Sequence, residues 1–318
     1  ELVSAIVEQV RSEYFYVKQN RLIFNEILTL FMANTPSDFV TVVDAVVSAK
    51  IFSDENEAKV YLAQLADTVP SLSNIIFYAK ILKDKYDIEE EDMISAEIEA
   101  VPAGKTRDFG LDRSMIMGYG HDDRVCAYAE LEALFNIPTP KKTAVCILAD
   151  KEEIGSVGIS GMQSQYFEHF MGGLCDAQGV KLFDCFANSF CLSADVSNAF
   201  DPNFAETCDR RNNSMLNYGV SICKYTGRGG KGGASDASAE AMGHIRTTFD
   251  NAGVIWQIAT LGKVDQGGGG TVAAYMANRN IVTVDAGVPV LSMHAPLELV
   301  SKLDCYETML ACKAIYLA

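Results

Sequence analysis

The sequence predicts an α/β fold, a three-layer and mostly parallel sheet preceded by a helical N-terminal region. Three observations point there. From about residue 94 onward, short apolar runs alternate with amphipathic stretches. All 24 glycines lie beyond residue 103. Residues 1–100 hold no Gly, His or Cys and carry apolar residues at helical spacing. The expected organisation is a helical region over residues 1–93 and an α/β domain over 94–318.

In the first region, Arg21 to Met32 repeats Leu22, Ile23, Ile27, Leu28, Leu30 and Phe31 with a helical period. Ser53-Asp54-Glu55-Asn56 reads as the N-cap of a helix running through Ala66. Ile75 to Tyr86 repeats the pattern, and Ile88-Glu89-Glu90-Glu91-Asp92 reads as a solvated acidic connection. In the second region, strands are expected at Ser95–Val101, Thr143–Ala149, Cys191–Val196, Val254–Ala259, Ile281–Asp285 and Val290–Met293. Helices are expected at Arg124–Phe135, Ala234–Asn251, Thr271–Asn278 and Leu299–Leu317. Layered sheets of this kind collect their sites at the carboxyl ends of strands.

Bulk properties narrow the function. The 318 residues are 49% apolar, enough for a sizeable core. The net charge of −16, from 42 acidic and 26 basic residues, repels phosphate backbones and argues against a nucleic-acid partner. Solubility is the plain explanation of that charge; attraction of divalent cations or basic substrates is the functional one. No apolar run reaches the ~18 residues that cross a bilayer, and the start lacks a basic segment followed by an apolar block. Nine cysteines without a Cys-x-x-Cys pair read as reduced core thiols of a cytoplasmic protein.

The chemistry sits at strand exits. Asp150-Lys151-Glu152-Glu153-Ile154-Gly155 follows the apolar run Ala144–Ala149 directly. Successive side chains alternate in direction there, so one carboxylate can bind a metal while the other faces the metal's water. A charged loop is the plain reading of that segment on its own. Gly120-His121-Asp122-Asp123-Arg124 follows a Gly-rich turn, Ser193-Ala194-Asp195 closes one strand, and Ser292-Met293-His294 closes another. Each alone is an ordinary structural Asp or His. Together they are hard oxygen and imidazole ligands at the exits of one sheet, a set that suits zinc, cobalt or manganese. Two Gly-rich stretches, Thr226–Gly233 and Gly267–Thr271, precede expected helices and offer an anion cradle or merely flexible connections. Neither matches a Walker A loop.

Taken together these motifs resemble the aspartyl aminopeptidase family of metallo-aminopeptidases, its bacterial members especially. Val101-Pro102-Ala103-Gly104-Lys105, Gly118–Arg124, Asp150–Ser156, Ser193–Asp195, Leu261–Gly270 and Leu291–His294 occur in the family's order, over a stretch from about residue 74 to the end. The resemblance implies a sheet of the zinc-peptidase type holding two divalent metals, zinc foremost with cobalt or manganese as alternatives. It implies a large homo-oligomer that releases N-terminal residues, acidic ones in particular, from peptides. By position, Asp122 would bridge the metals with Asp123 supporting it. Glu152 would be the general base. Glu153 and His294 would complete one metal, and Asp195 would bind the other. Lys224 would reach the substrate, and Gly268, Gly269, Gly270 and Thr271 would line the pocket for its N-terminal residue. The chain departs from the family in one ligand. Its histidines are 121, 169, 244 and 294, and none belongs to the family's His-Thr-Asp-Ser-Pro-type segment. The second metal is therefore left with Asp122 and Asp195, either because this chain is shortened or because the protein is a variant whose second metal is weak or absent. The competing expectations are a deacylase or carboxypeptidase on the same scaffold, and a weakly active or non-catalytic assembly subunit that has lost one ligand.

Overall fold

Residues 12, 15, 17–33, 35–68, 83–97, 99–229, 232–233 and 235–318 are described by the structure, a computed structural model. The chain divides into two units, Glu1–Glu99 and Ala100–Ala318.

The first unit contains helices α1 (Lys18–Met32), α2 (Phe39–Ser48) and α3 (Glu55–Thr68). Asp38 starts α2: its carboxylate accepts the Val40 and Thr41 N–H groups, while the Thr41 hydroxyl accepts the Asp38 N–H. At α3 the expected cap forms in the same reciprocal way. Asp54 accepts the Glu57 N–H at 2.9 Å, and Glu57 reaches back to the Ser53 N–H at 2.9 Å. The apolar stripes meet in a small core of Ile23, Val42, Val43, Val46, Phe52, Ala58 and Leu62. Of the expected helix Ile75–Tyr86, residues 75–82 lie outside the described residues and 83–86 are helical. The acidic run expected as a connection winds into a 3₁₀ turn, Glu90–Ile94.

The second unit is mixed α/β with two open sheets. One has the order β3 (Phe190–Ser193), β7 (Val282–Gly287), β5 (Val220–Cys223), β6 (Trp256–Ala259). Within it β7 and β5 are the inner strands, and accordingly β5 is buried along its whole length and β7 beyond Val282. Helices α7 (Ala239–Ala252) and α9 (Lys302–Leu317) cover this sheet, packing Ile245, Phe249 and Ala311 with Val220, Ile222 and Val284. A second cluster joins α5 (Tyr166–Gln178), α6 (Leu182–Ala187) and α8 (Ala273–Ala277) through Phe167, Met171, Phe186 and Met276. The other sheet runs β1 (Arg107–Phe109), β2 (Met115–Gly118), β9 (Glu298–Ser301), β8 (Pro289–Leu291), β4 (Ser197–Asn198). Helix α4 (His121–Phe135) follows β2.

The mostly parallel expectation needs correcting among the described residues. Parallel ladders join β3 to β7, β5 to β6 and β4 to β8, while β1–β2, β2–β9, β8–β9 and β5–β7 are antiparallel. Connections decide this: β1 to β2 and β8 to β9 are joined by short loops, which cannot hold the crossover that parallel pairing demands. Two expected strands do not form. Ser95–Val101 has no described strand, and its described residues are exposed. Thr143–Ala149 belongs to no ladder, because a cavity of about 590 Å³ lies between it and the edge strand β3. Two helix starts also shift. Residues 299–301, read as helix, end β9, and Ser301 then caps α9 by accepting the Leu303 N–H. Helix α7 starts at Ala239, capped by Ser238, so the stretch Thr226–Gly233 does not open a helix and offers no helix-dipole anion cradle. All nine cysteines are free thiols. No described helix is long and apolar enough to cross a membrane.

Candidate metal centre

Four chain segments, one of them carrying Asp195 just after β3, deliver the acidic and imidazole groups to one place. Gly118 ends β2, and the turn through Gly120, whose φ of 71° suits glycine, opens α4 at His121. Asp122 keeps an extended conformation at this helix start (φ −77°, ψ 113°), which separates its carboxylate from the helix proper. Glu152 and Glu153 lie in the turn after the 143–149 segment, closed by the Gly155 N–H to the Glu152 carbonyl at 2.8 Å. His294 follows β8 with a left-handed φ of 65°.

The side chains then converge. His294 Nε2 lies 3.0 Å from Asp122 Oδ2 and 3.1 Å from Glu153 Oε2. Three overlapping sets have ligand atoms within 4.8 Å of one another: Asp122, Glu153 and His294; Asp122, Asp123 and Asp195; and Asp123, Glu152 and Glu153. The expected ligands and the expected base thus share one cluster. Gly287, at the end of β7, makes room for it, since a Cβ there would collide with the Asp195 carbonyl and the Cys126 thiol.

So many carboxylates in one partly buried place resist ionising. Burial pushes Asp122 up to about 8, with the neighbouring Glu153, Asp123 and Glu298 charges adding to it. Burial likewise lifts Glu152 to about 7, helped by Asp123 and Glu153. Asp123 and Asp195 are raised for the same first reason. A divalent cation relieves this mutual repulsion, and a set of carboxylate oxygens with one imidazole nitrogen is chemically suited to zinc. The residues present therefore fit the ion that the sequence motifs imply.

The substrate-side residues are placed differently. Lys224, just after β5, pairs its ammonium with the Asp236 carboxylate at the surface. The Gly227 N–H donates to the Gly269 carbonyl at 2.6 Å, so the two Gly-rich loops hold each other. Thr271 is buried and donates its hydroxyl to Asp285 Oδ1 at 2.7 Å. Asp195, Thr271 and Asp285 line one small cavity beside the cluster, while Asp123, Glu152 and Asp195 contribute to the lining of the larger one.

Residues 34–316 match the family model described as aminopeptidase I zinc metalloprotease (M18). The chain belongs to that family. A probable M18 family aminopeptidase 1 of Clostridium acetobutylicum is 52% identical over 233 residues, which is 72% of this chain and 50% of the relative. The crystal structure of aminopeptidase I from the same organism superposes with a TM-score of 0.71 at 50% identity, covering 75% of this chain and 52% of that one. An M18 aminopeptidase structure from Thermotoga maritima gives 0.72 at 43% identity, covering 74% and 54%. This M18 chain spans about half the length of the curated relatives it matches.

Three carboxylates beside the cluster escaped the reading of the sequence, Glu298 and Asp285 buried and Glu130 half-buried. Glu298, 2% exposed, accepts the His294 N–H at 2.8 Å and the Asp122 N–H at 3.1 Å. Asp285 sits beside Ser193 and Cys223 in the sheet, with its acidity reduced by burial to about 6. Glu130, in α4, accepts the Ala194 N–H next to Asp195 and is pushed by burial up to about 8. Asp285 alone carried a signal: it closes the expected apolar strand Ile281–Asp285, much as Asp195 follows the apolar run from Cys191.

Proposed function

We propose that this chain is the catalytic portion of a metal-dependent aminopeptidase, which cleaves N-terminal residues from peptides with metal-activated water. The observation that carries the reading is the convergence of the His294 imidazole on the Asp122 and Glu153 carboxylates, with Glu152 beside them. Asp122, Glu153 and His294 would hold one ion, and Asp122 with Asp195 would face a second, Asp123 supporting Asp122. When bound, such ions polarise a scissile carbonyl and lower the pKa of water. Glu152 is assigned as the base: it takes a proton from the attacking water and returns it to the leaving amine. Lys224 and the loop Gly268–Thr271 are assigned to the substrate. Zinc is the favoured ion, with cobalt or manganese as alternatives. The acidic side-chain preference, the homo-oligomer and the cytoplasmic location rest on the family resemblance and are proposed with it.

The test is Glu152→Gln in the zinc-loaded protein, assayed on free-amine and N-blocked dipeptides. Turnover of the free-amine substrate should fall roughly 10²–10⁴-fold with metal content unchanged. Hydrolysis that survives the substitution rejects Glu152 as base, and equal cleavage of blocked substrates would turn the reading toward a deacylase.

A further inference from the structure

We infer that Glu298 is a positioning residue that sets the distance between Asp122 and His294, by holding the two backbones that carry them with one carboxylate. The inference rests on the metal-centre reading above. Asp122 and His294 come from segments far apart in the chain, yet their side chains meet at 3.0 Å. Nothing local explains this. Asp122 sits extended at a helix start, and His294 takes a left-handed conformation that side-chain-bearing residues enter reluctantly. Both backbones instead share a partner. Glu298 Oε1 accepts the His294 N–H at 2.8 Å, and Oε2 accepts the Asp122 N–H at 3.1 Å.

The geometry makes this a brace rather than an extra ligand. Each oxygen is already committed to a backbone donor, and the side chain is buried at 2% exposure. Its own backbone is fixed as well, since Glu298 opens β9 in register with Gly118 at the end of β2. The anchor therefore belongs to the sheet, while the residues it holds belong to loops. Carboxylate oxygens are strong acceptors for N–H donors, and both bonds are partly buried.

Glu298→Gln separates positioning from mere packing. The amide keeps the volume but has one accepting oxygen, and its NH₂ confronts the other N–H, so one of the two loops is released. In the metal-free protein, hydrogen exchange at the Asp122 and His294 amides should accelerate at least tenfold, with exchange in β5 and β7 unchanged. Zinc affinity, measured by competition with a chromogenic chelator, should fall at least tenfold while the melting temperature of the metal-free protein moves by only a few degrees. Glu298→Asp, which keeps both oxygens on a shorter stem, should restore part of the zinc affinity. The inference is overturned if Glu298→Gln leaves exchange at both amides as in the original protein, or if stability drops while zinc affinity stays within twofold. Should the unsubstituted protein take up no zinc, the metal-centre reading fails, and the exchange measurement still decides the brace.

Discussion

Arg279 holds together the ground on which the Glu152–Glu153 turn stands, and removing it should be costly. Its guanidinium donates to Glu168 at 2.6 Å and to the carbonyls of Tyr275, Met162 and Ser164 at 2.8, 2.9 and 3.1 Å. Met162 and Ser164 belong to the same loop as Gln163, whose side chain donates to the Gly155 carbonyl at 2.7 Å. The Arg279 side chain is 12% exposed, and Glu168 already has one buried oxygen without a hydrogen-bond partner. Arg279→Met strips that half-buried carboxylate of its counter-charge; a fully buried pair would lose about 3–5 kcal/mol, and partial exposure lowers this to about 2 kcal/mol. The three carbonyls add roughly 1 kcal/mol each if they stay dry, but a loosened loop admits water, so about 4 kcal/mol is the expected total. At about 2–4 °C per kcal/mol for a unit of this size, the melting temperature should fall by about 8–16 °C. Urea unfolding followed by Trp256, the single tryptophan, reads the relevant unit because its indole is tied to Asp250 at 2.8 Å. Adding Glu168→Met should recover roughly half of the loss, since a buried pair replaced by apolar groups costs little. A single-variant loss below about 1 kcal/mol, or a double variant no better than the single, refutes the reasoning.

Two further outcomes follow from acids held above their usual range. Asp122 at about 8 and Glu152 at about 7 must lose protons before a cation can replace them, so zinc binding should release protons and strengthen with pH. From Asp122 alone, affinity should fall about 50-fold between pH 8 and pH 6; titration calorimetry giving a flat profile would contradict this. Glu130 has its folded-state value raised from 4.5 to about 8, so the fold favours its protonated form, and its cost to stability develops as pH climbs through that window. Glu130→Gln keeps an acceptor for the Ala194 N–H without the charge. It should raise the melting temperature at about pH 8.5 and change it little at about pH 4, whereas a pH-independent difference would rule out ionisation as the cause.

How legible these features were depended on how local their causes are. The inner strand β7 stood out as the apolar run Ile281–Val284 because burial on both faces leaves no alternation to hide it. Capping at Ser53–Glu57 was readable because donor and acceptor lie within four residues. Thr143–Ala149 looked equally strand-like, but a strand is made by its neighbour, and across the cavity beside β3 it has none. Leu299 and Val300 were read into the following helix because an apolar run of that length carries either period, and only pairing with β2 and β8 settles it. Asp122, Glu153, Asp195 and His294 could be picked out at strand exits. Glu298 could not, since its meaning lies in a donor 176 residues away.

That difference also separates the carboxylates here that can serve a metal from those that cannot. Asp304 spends one oxygen on the Asn217 N–H at 2.8 Å and the other on the Gly219 N–H at 2.7 Å, and Glu298 is spent in the same manner. Glu307 gives an oxygen to the Ile255 N–H at 2.8 Å. Such acids are hydrogen-bonded by the backbone and act as staples between segments. Asp122 and Glu153 instead meet the His294 imidazole, and both sit among like charges that hinder ionisation of Asp122. Backbone donors satisfy the staples whether or not an ion is present, whereas the cluster is satisfied only by bringing in positive charge. We thus read Glu298, already satisfied by the chain, as holding in place Asp122 and His294, the residues proposed for a metal.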